Sequence, residues 1–251
     1  MLTIAIDSSQ EICALAIGRD SALVAEYAFA HKMNLLRRML PNIDSMLSDA
    51  GLTTRDLDGV IVSLGPGSFT GLRIGVTIAK SLAYVLGKPI VGIGTLDAMA
   101  RGLAPQDDDS LICPMIFART NEVYWSLFDS TARTRFNDYV VSSVEETLGK
   151  LAIKGVRIRF CGSGTRRNWE SIAARLGDAA TLAPPHCDYA RGAALIELGA
   201  SKLVAGQVDD AMTLAPLYVR KPMPVVRLES GEGNPSRKPE NQKARKGESE
   251  R

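Results

Sequence analysis

Short apolar runs separated by brief polar breaks fill the first thirty positions. Residues 2–6 (Leu-Thr-Ile-Ala-Ile) read as a strand ending at Asp7, and residues 11–17 and 22–29 as two more. The breaks are Asp7-Ser8-Ser9-Gln10 and Gly18-Arg19-Asp20-Ser21, and turns this short predict antiparallel hairpins. From about 32 to 49 the period lengthens: Met33, Leu36, Leu40, Ile43 and Leu47 recur at helical spacing and form one apolar stripe. Leu35, Met39 and Met46 lie beside it. Pro41 is expected to kink or split this helix, and Gly51 to stop it. A continuous run, Val60-Ile61-Val62-Ser63-Leu64, predicts a buried strand. It is followed by a Gly/Pro/Ser/Thr loop and a helix from near Gly71 to about 86. Gly87-Lys88-Pro89 then breaks into a strand at 90–93 and a short helix at 95–102. The order β-β-β-α-β-α-β-α predicts an α/β fold with a mixed sheet flanked by helices.

The polar stretch Gln106-Asp107-Asp108-Asp109-Ser110 is the best domain boundary. Beyond it, strands are predicted at 111–118, 122–129, 138–141 and 156–161, and helices at 143–151, 165–176 and 188–206. This second region repeats the order of the first without sequence self-similarity. Arg119, Glu122 and Tyr124 flank a hairpin turn at Thr120-Asn121, which cross-strand pairing explains. From Glu229 to Arg251 the chain has no aliphatic or aromatic residue except Ala244, so this tail is expected to be disordered. The expected division is 1–104, 105–222 and a charged tail at 223–251.

Composition narrows the classes. A chain of 251 residues with 45% apolar and 23% charged residues is ordinary for a soluble globular protein. A formal net charge of +2 offers no basic field for nucleic acid. The start has no basic segment ahead of a long apolar one, and no run suggests a membrane span, so neither is expected. Cys13, Cys113, Cys161 and Cys187 form no CxxC pair and read as inert thiols, which suits a reducing cytoplasm.

Candidate chemistry centres on residues 65–75, GPGSFTGLRIG. A glycine loop between strand and helix is a common anion site, yet this one fails the specific motifs. A Walker A loop needs GxxxxGK[ST], whereas Thr70 stands where its second glycine belongs. The dinucleotide fingerprint needs its third glycine one residue before Gly71. Gly75, Ala79 and Ala83 instead form a small-residue stripe suited to close packing. Asp7, Ser8 and Ser9, with Gly65, Gly67 and Ser68, are the weak candidates for holding a cofactor; ordinary turn chemistry accounts for them equally. His31 and His186 are far apart and read as surface or capping residues. No HxxxH, HExxH or GxSxG motif is present. Gly162-Ser163-Gly164-Thr165 reads as a corner more readily than as a ligand loop.

Taken together, IAIDSS, His31 opening a helix, SLGPGSFTGLRIG, KPIVGIGTLDAMA, ARTNEVYWSLF and PLYVR closely resemble the bacterial TsaB (YeaZ) family. The resemblance covers residues 1 to about 222. It implies two actin/Hsp70-like (ASKHA) domains and a part in making N6-threonylcarbamoyladenosine at adenosine 37 of tRNAs that read codons beginning with A. In the family the paralogue TsaD transfers the threonylcarbamoyl group from threonylcarbamoyl-AMP, TsaB partners it, and the ATPase TsaE is the third component. The paralogue's HxxxH metal pair falls on Thr95 and Met99 here, and a hydroxyl and a thioether cannot replace two imidazoles. The resemblance therefore implies no catalytic and no metal residues, and no cofactor bound by this chain alone, with ATP used by the complex.

It further implies that the first-domain helices pair with TsaD. The interface candidates are Met33, Leu36, Arg37, Leu40, Ile43, Leu47, Phe69, Arg73, Gly75 and Ala79, and the same surface would serve a homodimer. The alternatives are a stand-alone ATP-binding transferase or a glycoprotease-like peptidase of the same superfamily. Direct tRNA contact through Arg37, Arg38 and the tail is a third.

Overall fold

The computed structural model describes residues 1–31, 34–104, 109–153 and 155–219. Met1–Val219 forms one compact unit. The expected tail at 223–251 lies outside the described residues.

The first three strands are β1 (Leu2–Asp7), β2 (Ile12–Arg19) and β3 (Ala22–Ala30), joined as the predicted antiparallel hairpins. Helix α1 (Leu35–Asp49) then crosses to β4 (Gly59–Gly65), and α2 (Phe69–Leu86) to β5 (Ile90–Gly94). Both crossovers return parallel, β4 beside β1 and β5 beside β4, giving the sheet order β3-β2-β1-β4-β5. Helix α3 (Thr95–Leu103) ends this half.

The second half repeats that plan. Strands β6 (Leu111–Arg119), β7 (Glu122–Trp125) and β8 (Val140–Ser143) are antiparallel neighbours. Arg119 and Glu122 stand opposite one another and form the expected pair, a two-pronged ion pair at 2.8 Å. Helix α4 (Val144–Leu151) leads to β9 (Ile158–Cys161), parallel to β6. Then α5 (Ser163–Arg167) and α6 (Trp169–Leu176) lead to β10 (Ala180–Leu182), parallel to β9. The order β8-β7-β6-β9-β10 is the same topology as the first sheet. Two mixed five-stranded sheets flanked by helices are the actin/Hsp70-like architecture that was expected. Helix α7 (Gly192–Val204) returns to the first sheet, where the Glu26 carboxylate accepts from Arg191 (2.6 and 3.1 Å) and from the Gly192 N–H (2.7 Å).

Side-chain alternation along the strands sorts the core into layers. Ile4, Ile6, Val60 and Val62 face α1 and α2. Ala5 and Ile61 point the other way, onto α3 and α7. Cys113 and Met115 of β6 turn toward α4 and α6. All four cysteines are free and buried.

The structure corrects several sequence expectations. Pro41 does not split α1, which runs unbroken through it. A single proline removes one N–H from the ladder, and packing of a whole face against the sheet offsets that loss. The predicted 165–176 helix is two helices, broken at Asn168, whose side chain turns back to the Gly164 carbonyl (2.8 Å). Strand β7 stops at Trp125, and Phe128 makes a separate bridge to Ile112. The last helix is shorter than predicted, and β10 was not predicted at all. Helix α2 is long and apolar enough, by length and composition alone, to cross a membrane. Here Leu72, Val76, Ile78 and Ala79 on its buried face cover the first sheet.

Candidate functional site

At the glycine loop the residues that follow β1 meet the start of α2. Ser68 caps α2, its hydroxyl accepting from the Gly71 N–H at 3.2 Å. The chain leaving β1 runs directly over this helix start. The Ser68 N–H donates to the Ser9 carbonyl (2.6 Å), and the Ser8 hydroxyl donates to the Gly71 carbonyl (2.8 Å). A Cβ at Gly67 or Gly71 would overlap the backbone carbonyl of Ser9 or Ser8, and one at Gly75 would overlap the Ser8 hydroxyl. The glycine spacing that resembled a phosphate motif is thus the footprint of residues 8 and 9.

Asp7, Ser8 and Ser9 are buried. The Ser9 hydroxyl and N–H both donate to Asp7, at 3.0–3.1 Å. Burial pushes the Asp7 carboxyl above its ordinary range, and hydrogen bonds from Ser63 and Ser9 pull part of the way back. Of the six weak cofactor candidates, Ser9, Gly67 and Ser68 border the open cleft between the two sheets. Asp7, Ser8 and Gly65 do not line it.

The two positions aligned with the paralogue's metal pair are built into the core. The Thr95 hydroxyl is 2.7 Å from that of Ser63, and Met99 packs with its methyl against Gly162. Residues so placed do not fit a divalent iron or zinc. Among the described residues, no three His, Cys, Asp or Glu side chains gather as a metal site.

The outer faces of α1 and α2 hold the expected interface candidates, and the structure divides them. Leu36 is 62% exposed and Leu40 52%. Arg37, Phe69 and Arg73 are also exposed. Ile43, Leu47, Gly75 and Ala79 are buried in this chain's own core and offer no surface, a correction to four candidates. The face of α1 that fills the core is Leu35, Met39, Ile43, Met46 and Leu47. It is rotated from the predicted stripe and leaves Leu36 and Leu40 outside. Met33 lies outside the described residues.

Two residues of this surface were not anticipated. After α7 the chain runs back across the first half. The Leu217 N–H donates to the Leu64 carbonyl (2.7 Å), and Lys80 donates to the Met212 and Leu214 carbonyls (3.1 and 2.9 Å). Tyr218 reaches Phe69, with ring centroids 5.1 Å apart, and its hydroxyl accepts from Arg73 Nε at 3.1 Å. The Arg73 guanidinium lies 3.8 Å from the Phe69 ring centre. Leu217 and Tyr218 therefore extend the exposed patch. The available signal was the apolar content of PLYVR after the last helix.

His31 is tied down as a structural residue, its Nε2 donating to the Gln10 carbonyl (2.9 Å), while His186 is exposed. Gly162 is the corner between β9 and α5, and residues 163–165 open α5, with the Ser163 hydroxyl accepting from the Phe117 N–H (3.1 Å).

Comparison with known proteins agrees with this geometry. The family model described as "TsaD: tRNA N6-adenosine threonylcarbamoyltransferase" matches residues 30–222. The tRNA threonylcarbamoyladenosine biosynthesis protein TsaB of Bacillus subtilis is 32% identical over 224 residues, spanning 88% of this chain and 94% of its own. YeaZ from Pseudomonas aeruginosa superposes with a TM-score of 0.72 at 22% identity, over 86% of this chain and 99% of that one. The activator of 2-hydroxyisocaproyl-CoA dehydratase from Clostridium difficile, with bound ADPNP, shares the fold at a TM-score of 0.51. It is 11% identical, over 82% of this chain and 97% of that one. With the glycine loop, the duplicated topology and this identity across nearly the whole chain, the protein belongs to the TsaB (YeaZ) family.

Proposed function

We propose that this protein is a non-catalytic, activating subunit for the transfer of the threonylcarbamoyl group to adenosine 37 of tRNA. It would partner TsaD through the outer face of α1 and α2, with TsaE completing the complex and supplying the ATP use. The observation that carries this reading is that α1 is apolar on two faces. One fills the core, and the other leaves Leu36 and Leu40 in solvent. Exposed leucines on a helix that already has a buried face mark an interaction surface. Family membership and the biosynthetic role in the name of the Bacillus subtilis relative support the pathway. The chemistry of Thr95 and Met99 supports a subunit without its own metal-dependent transfer.

The test is reconstitution. Purified chain added to TsaD, TsaE, ATP, threonylcarbamoyl-AMP and tRNA should restore modification, and Leu36→Glu should abolish co-elution with TsaD while leaving the fold intact. Equal activity without the chain would refute the role, and unchanged co-elution of Leu36→Glu would refute the interface.

One observation favours a second reading, a stand-alone nucleotide enzyme: Ser9, Gly67, Ser68 and Ser163 do meet at one cleft. Against it, the Ser68 N–H is spent on Ser9, and no lysine among the described residues lines the cleft. Micromolar binding of ATP with Mg²⁺ to the isolated chain by calorimetry would support this second reading.

A further inference from the structure

An arginine stands without an acidic partner in an exposed apolar patch at the start of α2. Phe69 opens that helix, and Arg73 follows one turn later on the same side. The Arg73 guanidinium lies 3.8 Å from the centre of the Phe69 ring. The segment after α7 brings in Tyr218, whose ring centroid is 5.1 Å from that of Phe69 and whose hydroxyl accepts from Arg73 Nε at 3.1 Å. One residue earlier this segment is fixed to the end of β4, where the Leu217 N–H donates to the Leu64 carbonyl at 2.7 Å.

The cluster is ordered yet faces outward. Phe69 is 40% exposed, Leu217 42% and Tyr218 39%, and Arg73 is exposed with them. Among the described residues no carboxylate pairs with Arg73, whose contacts are the Phe69 ring and the Tyr218 hydroxyl. A guanidinium is a planar fork of donors, and its two-pronged match is a carboxylate. Stacking and the Tyr218 bond hold that fork before a partner arrives, so docking loses less side-chain entropy. Arginine and tyrosine set in an apolar patch are the residue types that dominate binding energy at protein interfaces.

The surroundings favour a protein over a nucleic acid. Lys80, two turns along α2, is turned into the segment after α7, where it donates to the Met212 and Leu214 carbonyls. Arg73 is left as a single cation beside Phe69 and Tyr218. Nucleic-acid affinity comes from several phosphate contacts, whereas one arginine flanked by rings suits one carboxylate in an otherwise apolar surface.

We propose that Phe69, Arg73 and Tyr218 anchor the TsaD-docking surface, with a carboxylate of the partner paired to Arg73 and Tyr218 acting as the positioning residue for that arginine. The inference rests on the TsaD partnership proposed above and adds to it the segment after α7 and the acidic chemistry of the partner.

The experiment is calorimetric titration of TsaD with the full chain across a salt series. Arg73→Lys keeps the charge but loses the fork and should weaken binding about tenfold; Arg73→Glu should weaken it about a hundredfold. Tyr218→Phe keeps the ring on Phe69 and loses only the bond to Arg73, so it should weaken binding about threefold. In an Arg73→Ala background Tyr218→Phe should add nothing, because the hydroxyl acts through the arginine. A tyrosine with a merely structural role would give the same loss in both backgrounds. Added salt should weaken the wild type more than Arg73→Ala. Reversing one surface carboxylate of TsaD to arginine should restore binding of Arg73→Glu. Phe69, Arg73 and Tyr218 are all exposed, so these variants are expected to fold, with melting temperature as the check.

Wild-type affinity in Arg73→Lys and Arg73→Glu would overturn the proposal. So would an equal loss from Tyr218→Phe in both backgrounds, failure of every TsaD reversal to restore binding, or loss of tRNA binding in place of TsaD binding. If these variants bind normally and Leu36→Glu does not, the partnership stands and this anchor falls. A wild-type chain that does not bind TsaD removes both.

Discussion

Replacing Gly75 by alanine should destabilise the protein, although alanine is the better helix former. Gly75 sits within α2, and on propensity alone the change would stabilise by about 1 kcal/mol. The added Cβ, however, would overlap the Ser8 hydroxyl and approach Ser8 Cβ to 3.1 Å. Ser8 is buried and bonded to the Gly71 carbonyl at 2.8 Å. Moving it aside breaks that bond in a place water does not reach, a cost of about 1–3 kcal/mol. Crowding a packed contact adds about 1–3 kcal/mol more. The net is roughly 3 kcal/mol of lost stability, a fall in melting temperature of about 6–12 °C for a chain of this size. Calorimetric or urea unfolding measures it. A double-mutant cycle with Ser8→Ala sharpens the test: removing the hydroxyl first should relieve part of the penalty, with a coupling of about 1–2 kcal/mol. A Gly75→Ala protein that melts at the same or a higher temperature would refute the reasoning, because helix propensity would then outweigh the contact.

Burial and charge set three other expected outcomes. Leu36→Glu should change stability by less than about 0.5 kcal/mol, because the side chain is in solvent, whereas Met39→Glu buries a charge and should cost more than about 4 kcal/mol in urea titrations. Burial raises the Asp7 pKa, so the folded state binds more protons than the unfolded one across that interval and stability falls as pH rises through it. Asp7→Asn removes this slope and should gain on the wild type as pH rises from about 4; a constant difference across pH would refute it. Glu26 has the opposite sign. Burial pulls its pKa up, but the Arg191 guanidinium and the Gly192 N–H outweigh that and hold it low. Its contribution is therefore present above its unfolded pKa and is lost as pH falls through the folded value. Glu26→Gln should cost about 1–3 kcal/mol at neutral pH and little in strong acid, measured as unfolding free energy against pH.

The sequence by itself determined the element order of the first half, its antiparallel hairpins, the hairpin at Thr120-Asn121 and the repetition of one plan in two halves. These rest on local physics: period-two and period-3.6 apolar patterns, and turns too short for anything but a hairpin. The glycine run at 65–75 was also legible as a corner rather than a phosphate cradle, because its spacing fails the motifs. What only the tertiary structure decided is which face of α1 is buried. With Leu35, Leu36, Met39, Leu40, Ile43, Met46 and Leu47 along one helix, two overlapping stripes satisfy the same period. Contact with β2 and β3 selects between them. The three-residue β10 carries too little pattern to be read, and exists because β9 offers it an edge. The sealing of Asp7 and Ser8 against α2, and the meeting of Arg73 and Tyr218 on one surface, join segments up to 145 residues apart. Local sequence holds no record of such distances, and packing alone sets them.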